Sequence, residues 1–246
     1  MYASAYDFIW DSLLTATVGL YVTKLLPSGQ TAVDLGCGTG LSSAWLQGVG
    51  YQVIGVDASP EMLRRALRAG RVDRAVLSDA VGCGLGLECA DVVLAVNLLQ
   101  VHSRPGEVLD QAQRLLKPGG VLVCVWPSAS ASISRLFLAE VNLGRPWLSA
   151  ASAFLARVAI GLIGLPYRAR RLSSEAVENV VDHWIASNGM DVIDAGSVMA
   201  IEDFRVISRA HPEALTDGKT RQNAPFGAVL ARLSVSQSGA DRVSSP

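Results

Sequence analysis

The stretch VDLGCGTG, residues 33–40, decides how this chain folds. An apolar segment leads into it and a helical pattern over residues 41–49 follows it, so its three glycines stand at a strand-to-helix turn. Gly36, Gly38 and Gly40 allow the backbone to turn sharply and to approach a ligand without interference from a Cβ atom. The helix that follows directs free N–H groups at the same place. The turn therefore predicts a ligand site at the end of a strand.

The strand-turn-helix unit repeats along the next ninety or so residues. Apolar or alternating segments predict strands at residues 31–35, 52–56, 74–77, 90–96 and 121–125, with helices in between. Such alternation is typical of a parallel sheet with right-handed crossovers. Ligands of these sheets bind beyond the carboxyl ends of the strands, where the strand order reverses. Two later segments, residues 190–206 and 226–235, are predicted to close the sheet as an antiparallel pair.

Composition and charge argue against several classes of protein. Half of the 246 residues are hydrophobic and the formal net charge is −1, which allows a substantial core and gives no basic face for nucleic acid. Asp7 and Asp11 lie near the N-terminus with no basic residue before Lys24, the opposite of a signal peptide. Arg157 interrupts the longest apolar run, so no membrane span is expected. Four cysteines without metal-site spacing favour reduced thiols in a cytoplasmic protein that holds no metal.

An acidic residue ends each of the first three predicted strands. Asp34 precedes the glycine turn, where a carboxylate repels a pyrophosphate but suits a ligand with an amino group and a sulfonium. Leu41 also departs from the dinucleotide fingerprint, so the ligand is expected to be S-adenosylmethionine rather than NAD. Asp57 can accept hydrogen bonds from both hydroxyls of a ribose. Asp79 can accept one from an adenine amino group, while the backbone N–H of Ala80 donates to the ring.

Residues 33–126 resemble the core of the class I S-adenosylmethionine-dependent methyltransferases, in particular their small-molecule branch. The matching segments, in the order of the family, are VDLGCGTG, VIGVDASPEMLRRA, LSDA, ADVVLAVNLLQVH and LLKPGGVLVCVWP. The resemblance implies a doubly wound, Rossmann-like α/β fold with a seven-stranded, mostly parallel sheet whose last strand is antiparallel. It also implies a helical cap inserted after the fifth strand.

The resemblance further implies a role for each matching position of the donor site. Asp34 and the 36–40 loop would hold the methionine moiety, Asp57 the ribose, and Asp79 with Ala80 the adenine. The other expected cofactor-binding residues are Cys37 in the loop, Ala58 after the second strand, Met62 and Val81 at the faces of the adenine ring, and Asn97 and Leu98 near the methyl group.

The acceptor side is expected to come from more variable parts of the chain. Methyl transfer mainly requires an aligned acceptor and exclusion of water, so a general base is needed only for a poor nucleophile. His102, after the fourth strand, is the first candidate for that base; the alternative is a histidine that faces solvent. Expected acceptor-binding residues are Tyr6, Gln100, His102 and Phe137. Apolar residues of the cap indicate either an aromatic or aliphatic acceptor, methylated on oxygen or nitrogen, or ordinary core.

One domain is expected over residues 1–235, with a disordered tail at 236–246. Its predicted parts are an N-terminal helical lid at 1–30, the cofactor-binding core at 31–127, a helical substrate cap at 128–188 and closing strands at 189–235. Within the lid, Tyr6 is expected nearest the donor. Phe8 and Trp10 are expected to pack a helix on the sheet.

Two further functions stay open on the sequence alone. Residues 147–165 are largely apolar and precede Arg168, Arg170 and Arg171, a pattern that would suit a membrane-associated lipid or quinone methyltransferase. The competing interpretation is a buried cap helix, or one hidden in a homodimer contact. A protein that binds S-adenosylmethionine without transferring its methyl group also fits. The expected partner is a small-molecule acceptor, without nucleic acid and without stable membrane insertion.

Overall fold

A computed structural model describes residues 6–8, 10–11, 13–163, 171–198 and 202–209. The strands in these ranges are β1 (Thr31–Leu35), β2 (Gln52–Asp57), β3 (Arg74–Leu77), β4 (Ala90–Val96), β5 (Leu116–Pro127), β6 (Asp191–Val198) and β7 (Glu202–Ser208). The helices are α1 (Leu13–Thr23), α2 (Ser43–Gln47), α3 (Pro60–Arg68), α4 (Pro105–Leu115), α5 (Ile133–Asn142), α6 (Trp147–Ile163) and α7 (Ser174–Asn188). Residues 6–8 and 10 are helical as well.

The strands form one seven-stranded sheet in the order β3-β2-β1-β4-β5-β7-β6. β1 to β5 pair in parallel, and β7 runs antiparallel to both β5 and β6. The order reverses between β1 and β4, which puts the carboxyl ends of these two strands beside the crevice where such sheets bind ligands. The predicted doubly wound fold with an antiparallel last strand is confirmed.

The central strands are apolar because helices cover both faces of the sheet. In β4, Val92, Val93, Leu94 and Ala95 are all fully buried, as expected for a strand of a doubly wound sheet. α4 and α7 pack together on one face, and Trp184 of α7 donates its indole N–H to Asp110 of α4 at 2.8 Å. This packing fixes β4 and β5, whose ends carry part of the ligand crevice.

The closing strands differ from those predicted. A single strand over residues 190–206 is wrong, because residues 191–208 contain both β6 and β7 as an antiparallel pair. The break between them, residues 199–201, is Met-Ala-Ile, which offers no glycine, proline or asparagine to signal a turn. The predicted strand at 226–235 and the predicted tail at 236–246 lie outside the described residues.

α5 and α6 form the helix pair expected as a cap, held together by a buried ion cluster. Glu140 of α5 is fully buried and accepts hydrogen bonds from Arg157 of α6 at 2.7 and 3.1 Å, and from Arg145 at 2.9 Å. α6 buries Ala150 and Ala153 on this side.

On the other side of α6, Trp147, Leu148 and Leu155 are exposed, so the helix is not buried within its own chain as one of the two predicted alternatives had it. Burial in a homodimer contact stays a prediction. In the described ranges no helix has both the length and the apolar character needed to cross a bilayer. The predicted basic flank at Arg168 and Arg170 lies outside the described residues.

Candidate functional site

The glycine turn after β1 leaves an open surface for a ligand. Gly36 and Gly38 have positive φ angles of 68° and 55°, a conformation that favours glycine. A Cβ on Gly36 would come within 2.8 Å of Leu98, whereas one on Gly38 would meet no heavy atom of the described residues within 4 Å. Glycine is therefore favoured at Gly36 by the backbone conformation together with the close Leu98 side chain, and the face of Gly38 is open to a ligand.

Asp57, the last residue of β2, holds this turn in place. Its Oδ2 accepts a hydrogen bond from the backbone N–H of Gly38 at 2.9 Å, and its Oδ1 accepts one from Ser59 at 2.7 Å. Ser59 in turn caps α3 by accepting from the N–H of Met62. Each carboxylate oxygen retains a second lone pair, so Asp57 can still accept hydroxyl groups from a ligand.

Asp34, in β1, is a buried carboxylate with one oxygen in use and one idle. Its Oδ2 accepts from the hydroxyls of Ser42 and Ser43 at 2.8 and 2.6 Å. Its Oδ1 is buried and has no hydrogen-bond partner in the described part of the chain. Burial raises the pKa of Asp34 to about 6, against the opposing effect of the two serine hydroxyls. A buried acceptor without a partner fits a donor supplied by a ligand, such as a cationic amino group.

Asp79, after β3, is joined to His102 on the loop after β4. Asp79 Oδ1 accepts from the backbone N–H of Val81 at 2.8 Å and lies 3.1 Å from His102 Nε2. These two contacts, with the Val81 N–H the larger effect, hold the pKa of Asp79 below its usual value. Ala80 is buried beneath the same loop.

The His102 side chain is only 11% exposed, so the interpretation as a solvent-facing histidine is wrong. Its Nδ1 accepts from the backbone N–H of Arg104 at 3.1 Å. With both ring nitrogens engaged, no lone pair remains for removing a proton from an acceptor. The base role predicted for His102 thus has no support in this geometry.

Asn97 follows β4 and turns the chain with a positive φ of 54°. Its N–H donates to Val125 at 2.8 Å, and its Oδ1 accepts from Gln100 Nε2 at 3.3 Å. Gln100 itself is buried, and it is absent from the described residues that line the adjoining cavity. Asn97 therefore lines the cavity together with Gly36, and Leu98 packs against Gly36. Gln100 instead hydrogen-bonds to Asn97 and is not among the described lining residues.

A cavity opens where the N-terminal segment crosses the glycine turn. The described residues that line it are Tyr6, Trp10, Thr15, Gly36, Cys37, Leu41, Ser42, Trp45, Val96 and Asn97. Tyr6 thus stands beside the residues expected to hold the donor. Trp10 lines the cavity too and is 38% exposed, so the prediction that it packs a helix on the sheet is wrong; Phe8 is also exposed.

Trp45 and Thr15 are cavity residues that the sequence reasoning missed. Trp45 is the third residue of α2, and its ring packs against Gly19 of α1, where a Cβ would come within 2.5 Å of it. Its signal in the sequence is its place four residues after Leu41, one helical turn further from the glycine loop.

The N-terminal segment is tied to the glycine turn by a short polar network. Asp7 accepts from the hydroxyl of Thr39 at 2.5 Å and from Arg71 at 2.9 Å, and Arg71 also donates to the Thr39 carbonyl at 3.2 Å. Further along, the Arg157 guanidinium lies 5.7 Å from the centre of the Trp10 ring. The segment therefore bridges the ligand turn and the cap.

The other predicted residues occupy less direct positions. Phe137 packs edge-to-face against Phe154 at 5.8 Å, between the two cap helices, and is not among the described cavity residues. Met62 and Val81 are partly buried beside the Asp57 and Asp79 loops, and Ala58 is exposed. All four cysteines are free thiols. No group of three or more metal-binding side chains occurs among the described residues.

Comparison with known proteins gives three consistent similarities. A family model described as "Methyltransferase domain" matches residues 33–124. A malonyl-[acyl-carrier protein] O-methyltransferase of Pectobacterium atrosepticum is 30% identical over 177 residues, which are 71% of this chain and 68% of that protein. A ubiquinone biosynthesis O-methyltransferase of Burkholderia cenocepacia is 35% identical over 98 residues, or 38% of this chain and 42% of that protein.

A solved structure shares the fold across most of the chain. The 1,6-didemethyltoxoflavin-N1-methyltransferase of Burkholderia thailandensis, with S-adenosylhomocysteine bound, superposes with a TM-score of 0.58 at 18% identity, covering 85% of this chain and 84% of that one. The matched region spans about two thirds of the malonyl-protein relative but less than half of the ubiquinone relative.

Proposed function

The chain belongs to the class I S-adenosylmethionine-dependent methyltransferases, and from that premise we propose that it methylates an oxygen or nitrogen atom of a small apolar or aromatic molecule. S-adenosylmethionine, when bound, supplies an electrophilic methyl group on a sulfonium. The protein's own part is to bind the two molecules, align them and keep water out.

The observation that carries the proposal is the buried Oδ1 of Asp34, which has no hydrogen-bond partner among the described residues and lies in β1, the strand that leads into the glycine turn. In the proposal, Asp34 accepts from the amino group of the methionine moiety. Asp57 accepts from the ribose hydroxyls with its remaining lone pairs, and Asp79 accepts from the adenine amino group. The three acids lie at or just after the carboxyl ends of the neighbouring strands β1, β2 and β3, so one extended ligand can reach them together.

The walls of the cavity indicate the kind of acceptor. Tyr6, Trp10, Trp45 and Leu41 give it an aromatic and aliphatic lining, which suits a flat or apolar molecule. The described lining contains no histidine, aspartate or glutamate. The proposal therefore favours an acceptor atom that is already nucleophilic near neutral pH and needs no protein base. The relatives named above are O- and N-methyltransferases, which supports either atom.

Calorimetric titration with S-adenosylmethionine and S-adenosylhomocysteine tests the donor site. We expect Asp57→Ala to weaken both ligands by at least about tenfold, because it removes a ribose acceptor and frees the Gly38 turn. Glu88→Gln, an exposed member of a surface pair with Arg209, is the matched control and is expected to bind as the native chain does. Failure of the folded native chain to bind either ligand would overturn the proposal. Binding without methyl transfer to any screened acceptor would favour the non-catalytic alternative.

A second candidate, a lipid or quinone methyltransferase that works at a membrane surface, is favoured by one observation. The outer side of α6, one of the two helices expected as a cap, exposes the apolar side chains of Trp147, Leu148 and Leu155. The match to a ubiquinone biosynthesis relative supports an apolar acceptor of this class. Binding to phospholipid vesicles separates the two candidates.

A further inference from the structure

His102 lies where the loop after β4 meets the loop after β3. Its Nε2 is 3.1 Å from Asp79 Oδ1, and its side chain is mostly buried while that of Asp79 is half exposed. Because β4 and β3 are separated in the sheet by β1 and β2, this contact spans the crevice and does not belong to one local turn.

The hydrogen bonds of His102 define its tautomer. Nδ1 accepts from the backbone N–H of Arg104, so Nδ1 carries no proton in this arrangement. The ring proton of the neutral imidazole must then sit on Nε2, which donates to the Asp79 carboxylate. The nearby Arg104 guanidinium forms its hydrogen bond with Glu107 at 2.7 Å, and its charge adds to the effects that lower the pKa of Asp79.

The two donors to Asp79 act on the same oxygen. Val81 N–H and His102 Nε2–H both reach Oδ1, and Oδ2 accepts no hydrogen bond from the described residues. An exposed aspartate held by one backbone N–H can still turn about its side-chain torsions. A second donor from a buried ring on another strand's loop restricts that rotation and leaves Oδ2 as the oxygen available to a ligand.

We propose that His102 is a positioning residue that sets the donor site's preference for adenine, by fixing Asp79 so that its Oδ2 accepts from the adenine amino group. The inference rests on the proposed function, in which Asp79 contacts adenine. It assigns His102 to recognition of the donor and gives it no part in proton removal from the acceptor.

The test compares S-adenosylhomocysteine with S-inosylhomocysteine, in which a carbonyl oxygen replaces the adenine amino group. The native chain is expected to bind the adenine ligand at least about tenfold more tightly, because a carboxylate repels the carbonyl. His102→Ala is expected to weaken the adenine ligand several-fold and to leave the inosine ligand nearly unchanged, so that the preference shrinks. His102→Gln, whose amide can donate in place of Nε2–H, is expected to restore part of the preference.

If His102 has a purely structural role, His102→Ala should lower the affinity for both ligands equally. That result, or an unchanged preference in folded His102→Ala, would overturn the inference. If His102→Ala does not fold, His102→Gln and His102→Phe are compared instead. Only the glutamine side chain can donate a hydrogen bond to Asp79, so only His102→Gln is expected to keep part of the preference for the adenine ligand. Native protein that binds neither ligand contradicts the proposed function itself, whereas tight native binding with a preference insensitive to position 102 contradicts this inference alone.

Discussion

At the scale of single residues, Asp34 shows how burial prepares an acid for a cationic ligand. The carboxylate is 1% exposed and carries two serine hydroxyls on one oxygen, yet its pKa is raised to about 6 because desolvation outweighs them. An aspartate in water would be fully ionised at pH 6. A ligand amino group at the idle oxygen would favour the ionised form, so binding and ionisation are coupled.

This coupling predicts a pH dependence of S-adenosylhomocysteine affinity. As pH falls from 7.5 to 5, Asp34 passes through a pKa of about 6 and becomes mostly protonated, while the ligand amino group stays charged. The affinity is therefore expected to fall about tenfold over this range. Asp34→Asn is expected to bind weakly with little change between the two values, as measured by calorimetry.

An effect at Asp34 has to be separated from one at the contact between His102 and Asp79, which lies at the adenine end of the proposed donor site. His102→Gln should therefore keep most of the fall in affinity if Asp34 is responsible. If the affinity still falls with pH in Asp34→Asn, or no longer falls in His102→Gln, a group other than Asp34 is responsible for the pH dependence.

At the scale of elements, the carboxylate of Asp7 ties the N-terminal segment to the glycine turn. Asp7 links the segment to Thr39 in the glycine turn and to Arg71 after α3. Tyr6 and Trp10, on either side of Asp7, line the cavity. If the segment acts as a lid, as the resemblance implies, this link should resist its opening.

Asp7→Asn is expected to speed release of S-adenosylhomocysteine several-fold, since an amide loses the charge that pairs with Arg71 and one of the two acceptor oxygens. Stopped-flow tryptophan fluorescence suits the measurement because Trp10 and Trp45 line the cavity. Asp11→Asn is the control, because its carboxylate is 65% exposed and 3.9 Å from Arg71. Equal release rates in the native chain and Asp7→Asn would argue against a lid held by this link.

The elements that sequence reasoning placed correctly are those with strong local signals. β1 to β4 are short, mostly apolar segments, and a turn residue follows β1, β3 and β4 directly, namely Gly36, Ser78 and Asn97. Ser59-Pro60 marks the start of α3. The hairpin of β6 and β7 was missed because its connection is apolar. Its strands are instead specified by distant pairing, such as Val123 of β5 with Val206 of β7. Such pairing leaves little trace in the local pattern.

At the scale of the whole molecule, the positions proposed for the donor could be predicted from the sequence, whereas most of the residues that line the cavity could not. Asp34, Asp57 and Asp79 lie at or just after the carboxyl ends of β1, β2 and β3, so the topology alone brings them to one edge of the sheet. The position of Trp10 depends instead on Arg157, more than a hundred residues away, and that of Arg157 on Glu140. Contacts of this kind arise only when the cap folds onto the core.

The exposed face of α6 bears on whether the acceptor is a free small molecule or one held in a membrane, because only the second requires the protein to bind a membrane surface. Its exposed side chains Trp147, Leu148 and Leu155 are apolar, but Arg157 is the only charged residue in the helix, and its charge is taken up by Glu140. Interfacial binding needs apolar area together with attraction to anionic lipid, and one signal alone gives marginal affinity. The α6 face provides only the first of these signals.

We therefore expect the native chain not to sediment with anionic phospholipid vesicles at physiological salt. Sedimentation that is lost in a Trp147→Ser, Leu155→Ser variant would replace the first proposal with the membrane-surface candidate. Leu87→Ser, which changes a similarly exposed leucine far along the chain from α6, is the control for a general loss of surface hydrophobicity. If Leu87→Ser reduces sedimentation as much as the Trp147→Ser, Leu155→Ser variant does, the binding is nonspecific adsorption. A specific lipid-binding surface on α6 should depend more on the α6 side chains than on a single leucine elsewhere.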